Sequence, residues 1–195
     1  MIVENIKMYD GNLLHNRFAY SFYRSRVLPI GNIVAFRAPM KVEIDGMIDQ
    51  EDVLKNEFIY SQDAVNFLWE IPNLNAFGAI AYQRLFNTSV ANILQSYINK
   101  PIEVDGDDLI VHAEHNQKGI IQPHGKCSVS ITHVKDDAAL GHTGINVLAG
   151  EEAPSFAYST KLTDEQVNGF MKDVTEMFYT MNDDIFVATT KIISK

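Results

Sequence analysis

The chain has a single cysteine, Cys127, and a single tryptophan among 195 residues. One thiol excludes an internal disulfide and a thiolate metal cluster within one chain, and it fits a reducing compartment. Positive charge is also scarce. The 16 Lys and Arg against 25 Asp and Glu leave a net charge of −9, which makes attraction to a phosphate backbone unfavourable and sets nucleic acid aside as a main partner. No apolar run approaches the length of a membrane span, and the opening Met1 to Lys7 carries Glu4 and no stretch resembling a signal peptide. The expectation is a cytoplasmic protein with no membrane partner. Catalytic signatures are missing too, with no His-Glu-x-x-His, no His-x-x-x-His and no Gly-x-Ser-x-Gly elbow. His112 and His115 lie three apart, on opposite faces if that segment is a strand, so no metal site is expected.

What is present reads as one α+β domain over 1–195, a mostly antiparallel sheet with helices packed on one side. The start alternates around Ile2, Ile6 and Met8 and meets the turn signal Asp10-Gly11-Asn12, which predicts a strand and a turn. Ile33-Val34-Ala35-Phe36 is apolar and β-prone, breaks at Pro39 and resumes at Lys41 to Asp45, a second strand bent or ending near the proline. From Ile48 to Ile71 the pattern reads as helical, with Ser61 capping a short helix that Pro72 stops. A long helix is expected over Leu74 to Ile98, burying Phe77, Ile80, Ala81, Leu85, Val90, Ile93, Leu94 and Tyr97, and closing at Lys100-Pro101. The period then drops to two through Ile102, Leu109 to Val111, Ser128 to Val134 and Gly144 to Leu148, an antiparallel meander. Thr163 with Gln166 forms a capping box for a C-terminal helix, which Phe186-Val187-Ala188 and Ile192-Ile193 continue or follow as an edge strand.

The polar residues that stand out cluster at strand ends. If Lys126 opens an alternating strand, Ser128, Ser130 and Thr132 share its face while Cys127, Val129 and Ile131 turn to the core. A lysine beside hydroxyls suits a carboxylate or a phosphate; the competing reading is an edge lysine that discourages strand pairing. Asp107 and Asp108 sit at a strand mouth after Gly106, where a carboxylate can hold a lysine, a magnesium ion or a ligand amide, or simply be solvated in a turn. His142-Thr143-Gly144-Ile145-Asn146 places a glycine between side chains that both donate and accept, which fits a close ligand approach and equally an ordinary strand bend.

In order, these pieces resemble the catalytic core of the biotin and lipoate protein ligase superfamily. A long helix leads into Val104-Asp105-Gly106-Asp107-Asp108-Leu109, with Asp107 and Asp108 where biotin ligases have Asn-Asp. Lys126 stands where those enzymes keep the lysine that touches the acyl carboxylate and the adenylate phosphate, and Gly144-Ile145-Asn146-Val147 matches the last strand. Over roughly residues 1 to 190 the chain is more closely similar to a prokaryotic domain-of-unknown-function family distantly related to these ligases, through Ile33 to Arg37, Gln83-Arg84-Leu85, Gly106 to Leu109, Lys126 to Thr132 and His142 to Asn146.

The resemblance implies acyl or carboxylate activation or transfer on a small carboxylate or acyl-nucleotide, with the cofactor open and ATP/Mg the family's precedent. Lys126 would hold the carboxylate or phosphate, and Asp108 would orient Lys126 or a metal. Arg37 would add positive charge, and His142 and Asn146 would bond the ligand, all five lining one pocket. The ligases' glycine- and arginine-rich loop has no counterpart here beyond Arg24, Arg26 and Arg37, and Asp105-Gly106 replaces their Trp-Pro pair. A second reading is therefore a binding module without adenylation chemistry. A third is a homo-oligomer paired through strands across a two-fold axis.

Overall fold

The computed structural model describes residues 1–23, 30–55 and 58–193. Its centre is a four-stranded antiparallel sheet in the order β1-β2-β9-β8, formed by β1 (Asn32–Val42), β2 (Ile59–Pro72), β8 (Ser128–Lys135) and β9 (Ala138–Leu148). A smaller sheet, β3-β4-β7, joins β3 (Ile102–Asp105), β4 (Asp108–Val111) and the two-residue β7 (Gly125–Lys126); β5 (His115–Gln117) and β6 (Ile120–Gln122) form a hairpin. The helices are α1 (Phe18–Tyr23), α2 (Gln50–Lys55), α3 (Ala76–Ile98) and α4 (Asp164–Thr190). The architecture is α+β, as the sequence implies.

Strand β2 corrects the reading of Ile48 to Ile71 as helical. Among the described residues there, Gln50–Lys55 is helical and Ile59–Pro72 is a strand. Val65, Phe67, Trp69 and Ile71 pack toward α3 and α4, while Ala64 and Leu68 enter a second core with Phe18, Phe36, Met40 and Leu140. A strand buried on both faces reads as a near-continuous apolar run, and such a run does not distinguish strand from helix by period. Ser61 caps nothing; its hydroxyl donates to the carbonyls of Asp63 and Leu148.

The two long helices cover one face of the sheet. Asn75 caps α3 by accepting from the Gly78 N–H, and the helix ends at Asn99, a left-handed residue just before Lys100-Pro101. Its buried face is rotated from the expected one. Tyr82, Gln83, Phe86, Asn87, Val90 and Leu94 point inward, whereas Phe77, Ile80 and Leu85 are exposed. Two polar residues belong to the inward face because they bond to the sheet, which an apolar-stripe rule does not anticipate. Helix α4 begins with the capping box of Thr163 and Gln166 and runs through Phe186 to Ala188, with Ile192 and Ile193 beyond it exposed.

The opposite face is covered by the N-terminal segment. It makes isolated bridges, Ile2 to Ala35 and Tyr9 to Met40, in place of the strand expected around Ile2 to Met8. Strand β1 is continuous past Pro39, with a register shift between Ala38 and Met40.

At Gly141 β9 passes close against the helix-side core: a Cβ there would lie 2.1 Å from Cε2 and Cζ2 of Trp69. The indole is fully buried and has no room to give. Gly141→Ala is expected to cost about 1–3 kcal/mol, read as a fall in the thermal midpoint of about 2–4 °C per kcal/mol; an unchanged midpoint would contradict this packing.

Candidate functional site

The site is organised by the short stretch where the small sheet hands over to the large one. The Cys127 N–H donates to Leu109 O at 2.9 Å, the Asn146 N–H donates to Cys127 O at 2.8 Å, and Ser128 Oγ accepts the Leu109 N–H at 2.8 Å. On the far side the Lys126 N–H donates to Phe156 O and the Tyr158 N–H to Lys126 O. Cys127 and Ser128 are both fully buried. Two successive inward residues reset the alternation, so β8 runs with the opposite facing from the one expected. Ser130 bonds to α3, while Val129, Ile131, His133 and Lys135 line a cavity on the other face.

That cavity has a volume of about 540 Å³. Its floor is β8 and β9, with His142 and Asn146 from β9; Asp107, Asp108 and Lys126 bound one end, and Tyr9, Leu14 and the β1–β2 connection, including Met47, Ile48 and Phe58, form a wall. Lys126 Nζ lies 2.7 Å from Asp108 Oδ1, each side chain about one-third exposed (34% and 35%). Such a half-solvated pair adds at most about 1 kcal/mol to stability, but it fixes the ammonium and leaves two of its three protons for a ligand.

Asn146 is only 4% exposed, and its Oδ1 is buried without a hydrogen-bond partner. His142 is fully buried, stacks on Tyr9 at a centroid distance of 3.9 Å, and shares a 3.0 Å hydrogen bond with Asn66 Oδ1. Burial drives its pKa down to about 3, so the ring is neutral at physiological pH. Burial, and then the charge of Lys135, lower the pKa of His133, and burial pushes the Cys127 thiol up to about 12, which leaves it protonated and poorly nucleophilic.

The remaining residues singled out in the sequence are placed differently. Arg37 faces the helix side, bonding to Asp63 through Nε and Nη2 and to Asp164 through Nη1 at 2.6 Å. It does not line the cavity, because its position in β1 shares the facing of Ala35, which packs toward the helices. Ser128 and Ser130 border the cavity with hydroxyls already committed, to Leu109 and to Gln83 and Asn87. Asp107 borders it as well, 3.4 Å from Arg84 Nη1. Gly144 makes room for Met40, whose Sδ would lie 2.4 Å from an added Cβ. Arg24 and Arg26 lie outside the described residues.

Sequence reasoning passed over Tyr9, Asn66 and His133. Tyr9 precedes the Asp10-Gly11 turn and gave no signal of its own. Asn66 fell in the stretch read as helix, and His133 was hidden by the reversed facing of β8.

The lining carries Asp49, Glu51, Asp52, Asp107 and Asp108 against Lys55, Lys126 and Lys135, and no arginine among the described residues. A polyphosphate entering it meets more carboxylates than ammonium groups. Among the described residues no three His, Cys, Asp or Glu side chains converge as a metal site, and no helix is long and apolar enough to cross a membrane.

A family model described as a domain of unknown function (DUF366) matches residues 1–193, so the chain belongs to that family. A search of curated proteins gives no match. Among solved structures, a protein of unknown function from Pyrococcus horikoshi superimposes with a TM-score of 0.84 at 21% identity, covering 100% of this chain and 97% of that one. The biotin protein ligase of Aquifex aeolicus, in complex with biotin and ATP, gives a TM-score of 0.54 at 13% identity over 94% of this chain and 71% of its own. A T. acidophilum protein with bound lipoic acid gives 0.54 at 13% over 92% and 85%. The fold is thus that of the biotin and lipoate ligase catalytic cores.

The neutral state of His142 has a signed consequence. Its folded pKa lies below the unfolded value of about 6.5, so the unfolded chain binds the extra proton between pH 6.5 and about 3. Stability is full above pH 6.5 and falls with acidification, by up to about 1.4 kcal/mol per pH unit from this group. Denaturant midpoints for wild type and His142→Gln between pH 7.5 and 5 are expected to show a shallower acid slope in the variant; equal slopes would contradict a buried neutral ring.

Proposed function

We propose that this member of the DUF366 family, folded like the biotin and lipoate ligases, binds a small carboxylate or its acyl-nucleotide in the cavity beside Lys126 and serves acyl activation or transfer. The observation that carries this reading is the juxtaposition of a fixed ammonium, a donor, with an unpartnered buried amide oxygen, an acceptor. Lys126 sits one residue before Cys127, whose carbonyl accepts the Asn146 N–H, so Lys126 and Asn146 flank the same end of the cavity. A buried polar atom left without a partner costs about 1–3 kcal/mol, and a ligand that satisfies the Asn146 amide recovers that cost. A carboxylate accepts from Lys126 Nζ, and a hydroxyl or N–H of the same ligand, as an acyl-nucleotide carries, donates to Asn146 Oδ1. Asp108 holds the lysine in place without cancelling its remaining donors.

The solved neighbours that hold biotin, ATP or lipoic acid support the reading by analogy of fold. A second reading, a binding module without adenylation chemistry, is favoured by the excess of carboxylates over lysines in the lining. Chemistry that builds charge on an α-phosphate calls for several preorganised donors.

The test is calorimetry and thermal shift on the full chain with octanoate, biotin, lipoate and ATP/Mg, alongside Lys126→Ala. A carboxylate at a hundred times its dissociation constant is expected to stabilise the native state by about 2.7 kcal/mol, and the variant to lose that shift while keeping its fold. Pyrophosphate release on adding ATP with the bound acid would support activation; binding without release would support the module. A shift retained in Lys126→Ala would remove this site from the proposal.

A further inference from the structure

The tautomer of His142 is dictated by its neighbours, and it specifies what the cavity is built to meet. Asn66 Nδ2 donates to two backbone carbonyls, Ala38 O at 3.1 Å and Ala64 O at 3.3 Å. Turning that amide round would set Oδ1 against both carbonyl oxygens, so chemistry fixes the nitrogen there and fixes Oδ1 toward His142. The His142 Nε2 lies 3.0 Å from that oxygen. Two acceptors do not bond, so Nε2 carries the proton. In a neutral imidazole the other nitrogen, Nδ1, is then a lone-pair acceptor.

No donor from the described residues reaches Nδ1: the bond to Asn66 is the one hydrogen bond the ring makes there. The side chain lines the cavity, and Tyr9 covers one ring face, which locks its orientation. His133 comes from the neighbouring strand on the cavity face and brings a buried Nδ1 that is also without a partner. Among the described residues, this part of the cavity presents imidazole nitrogens without protein partners.

Spacing along β9 sets the distance between its two polar places. His142 and Asn146 share a face of the strand four residues apart, which at about 3.3–3.4 Å per residue is ~13 Å. Val129 pairs with Gly144 and Ile131 with His142 across the β8–β9 ladder, so apolar side chains line the stretch between.

We infer that the ligand has polar groups at both ends: a carboxylate at Lys126, an apolar middle along Val129 and Ile131, and a hydrogen-bond donor, an amide N–H or a hydroxyl, accepted by His142 Nδ1. His142 is the specificity-determining residue and Asn66 its positioning residue. This inference rests on the carboxylate reading above. A purely aliphatic tail of the same length would bury the Nδ1 lone pair unsatisfied, and a site built for a polar group discriminates against the analogue that lacks it.

The test uses two probes of equal length, 9-hydroxynonanoate and decanoate, titrated calorimetrically into the full chain, into His142→Phe and into Lys126→Ala. The hydroxy acid is expected to bind wild type about tenfold or more tighter. His142→Phe is expected to erase that preference while decanoate binding persists, and Lys126→Ala to weaken both probes alike. Equal binding of the two probes to wild type would overturn the inference and leave the carboxylate reading standing. Binding of neither would overturn both. Nitrogen-15 NMR of the wild-type imidazole gives a readout that needs neither ligand nor variant: the Nε2–H tautomer is expected, and an Nδ1–H ring or an imidazolium at neutral pH would overturn the inference.

Discussion

The peptide around Cys127 is the joint on which the site depends. Its N–H donates to the Leu109 carbonyl of β4, its carbonyl accepts from β9, and the hydroxyl of Ser128 accepts the Leu109 N–H. These bonds tie a three-stranded sheet to a four-stranded one within two residues. Because both Cys127 and Ser128 point inward, the strand leaves the joint with its facing reset. Lys126 remains beside Asp108 at the cavity while the serines that follow are drawn toward α3, where Gln83 and Asn87 bond to Ser130, and Asn87 also accepts from Thr143. Asn87 donates as well to the carbonyl of Asp107, so the turn that presents Asp108 is held from the helix layer. A buried network satisfied in this way rigidifies what it touches.

The electrostatic character of the cavity follows from what it excludes. Carboxylates outnumber lysines in its described lining, Lys126 is pre-paired with Asp108 and Lys55 with Glu51, and His142 and Asn146 add neutral hydrogen-bonding groups. Desolvation keeps His142 uncharged, so at that place the cavity distinguishes ligands by donors and acceptors rather than by charge. That is a different balance from a site that gathers several cations around a phosphate.

Much of this was legible in the sequence where local chemistry decides structure. The capping box at Thr163, the stop before Pro101, the register shift at Pro39 and the strand mouth at Asp107-Asp108 are all set by residues within a turn of one another. Lys126 pairs with Asp108, and both line one cavity with His142 and Asn146, four of the five residues expected to share a pocket. What was not legible depends on tertiary partners. Strand β2 is buried on both sides, so its period is lost; α3 turns Gln83 and Asn87 inward because the sheet supplies their partners; and β8 reverses its facing at a joint that no alternation rule contains. Arg37 was placed wrongly for the same reason: its partners, Asp63 and Asp164, lie 26 and 127 residues away in the chain.

The central claim is that the Cys127 joint sets Lys126 and the Asn146 amide at one end of the cavity as a single ligand-binding place, with Lys126 taking the carboxylate. It is tested most directly by following the Asn146 side-chain amide and the Lys126 ammonium by NMR as octanoate is added to the intact protein. The account predicts that both sets of resonances shift together along a single binding curve. Saturable shifts elsewhere in the protein, with Asn146 and Lys126 unmoved, would contradict it.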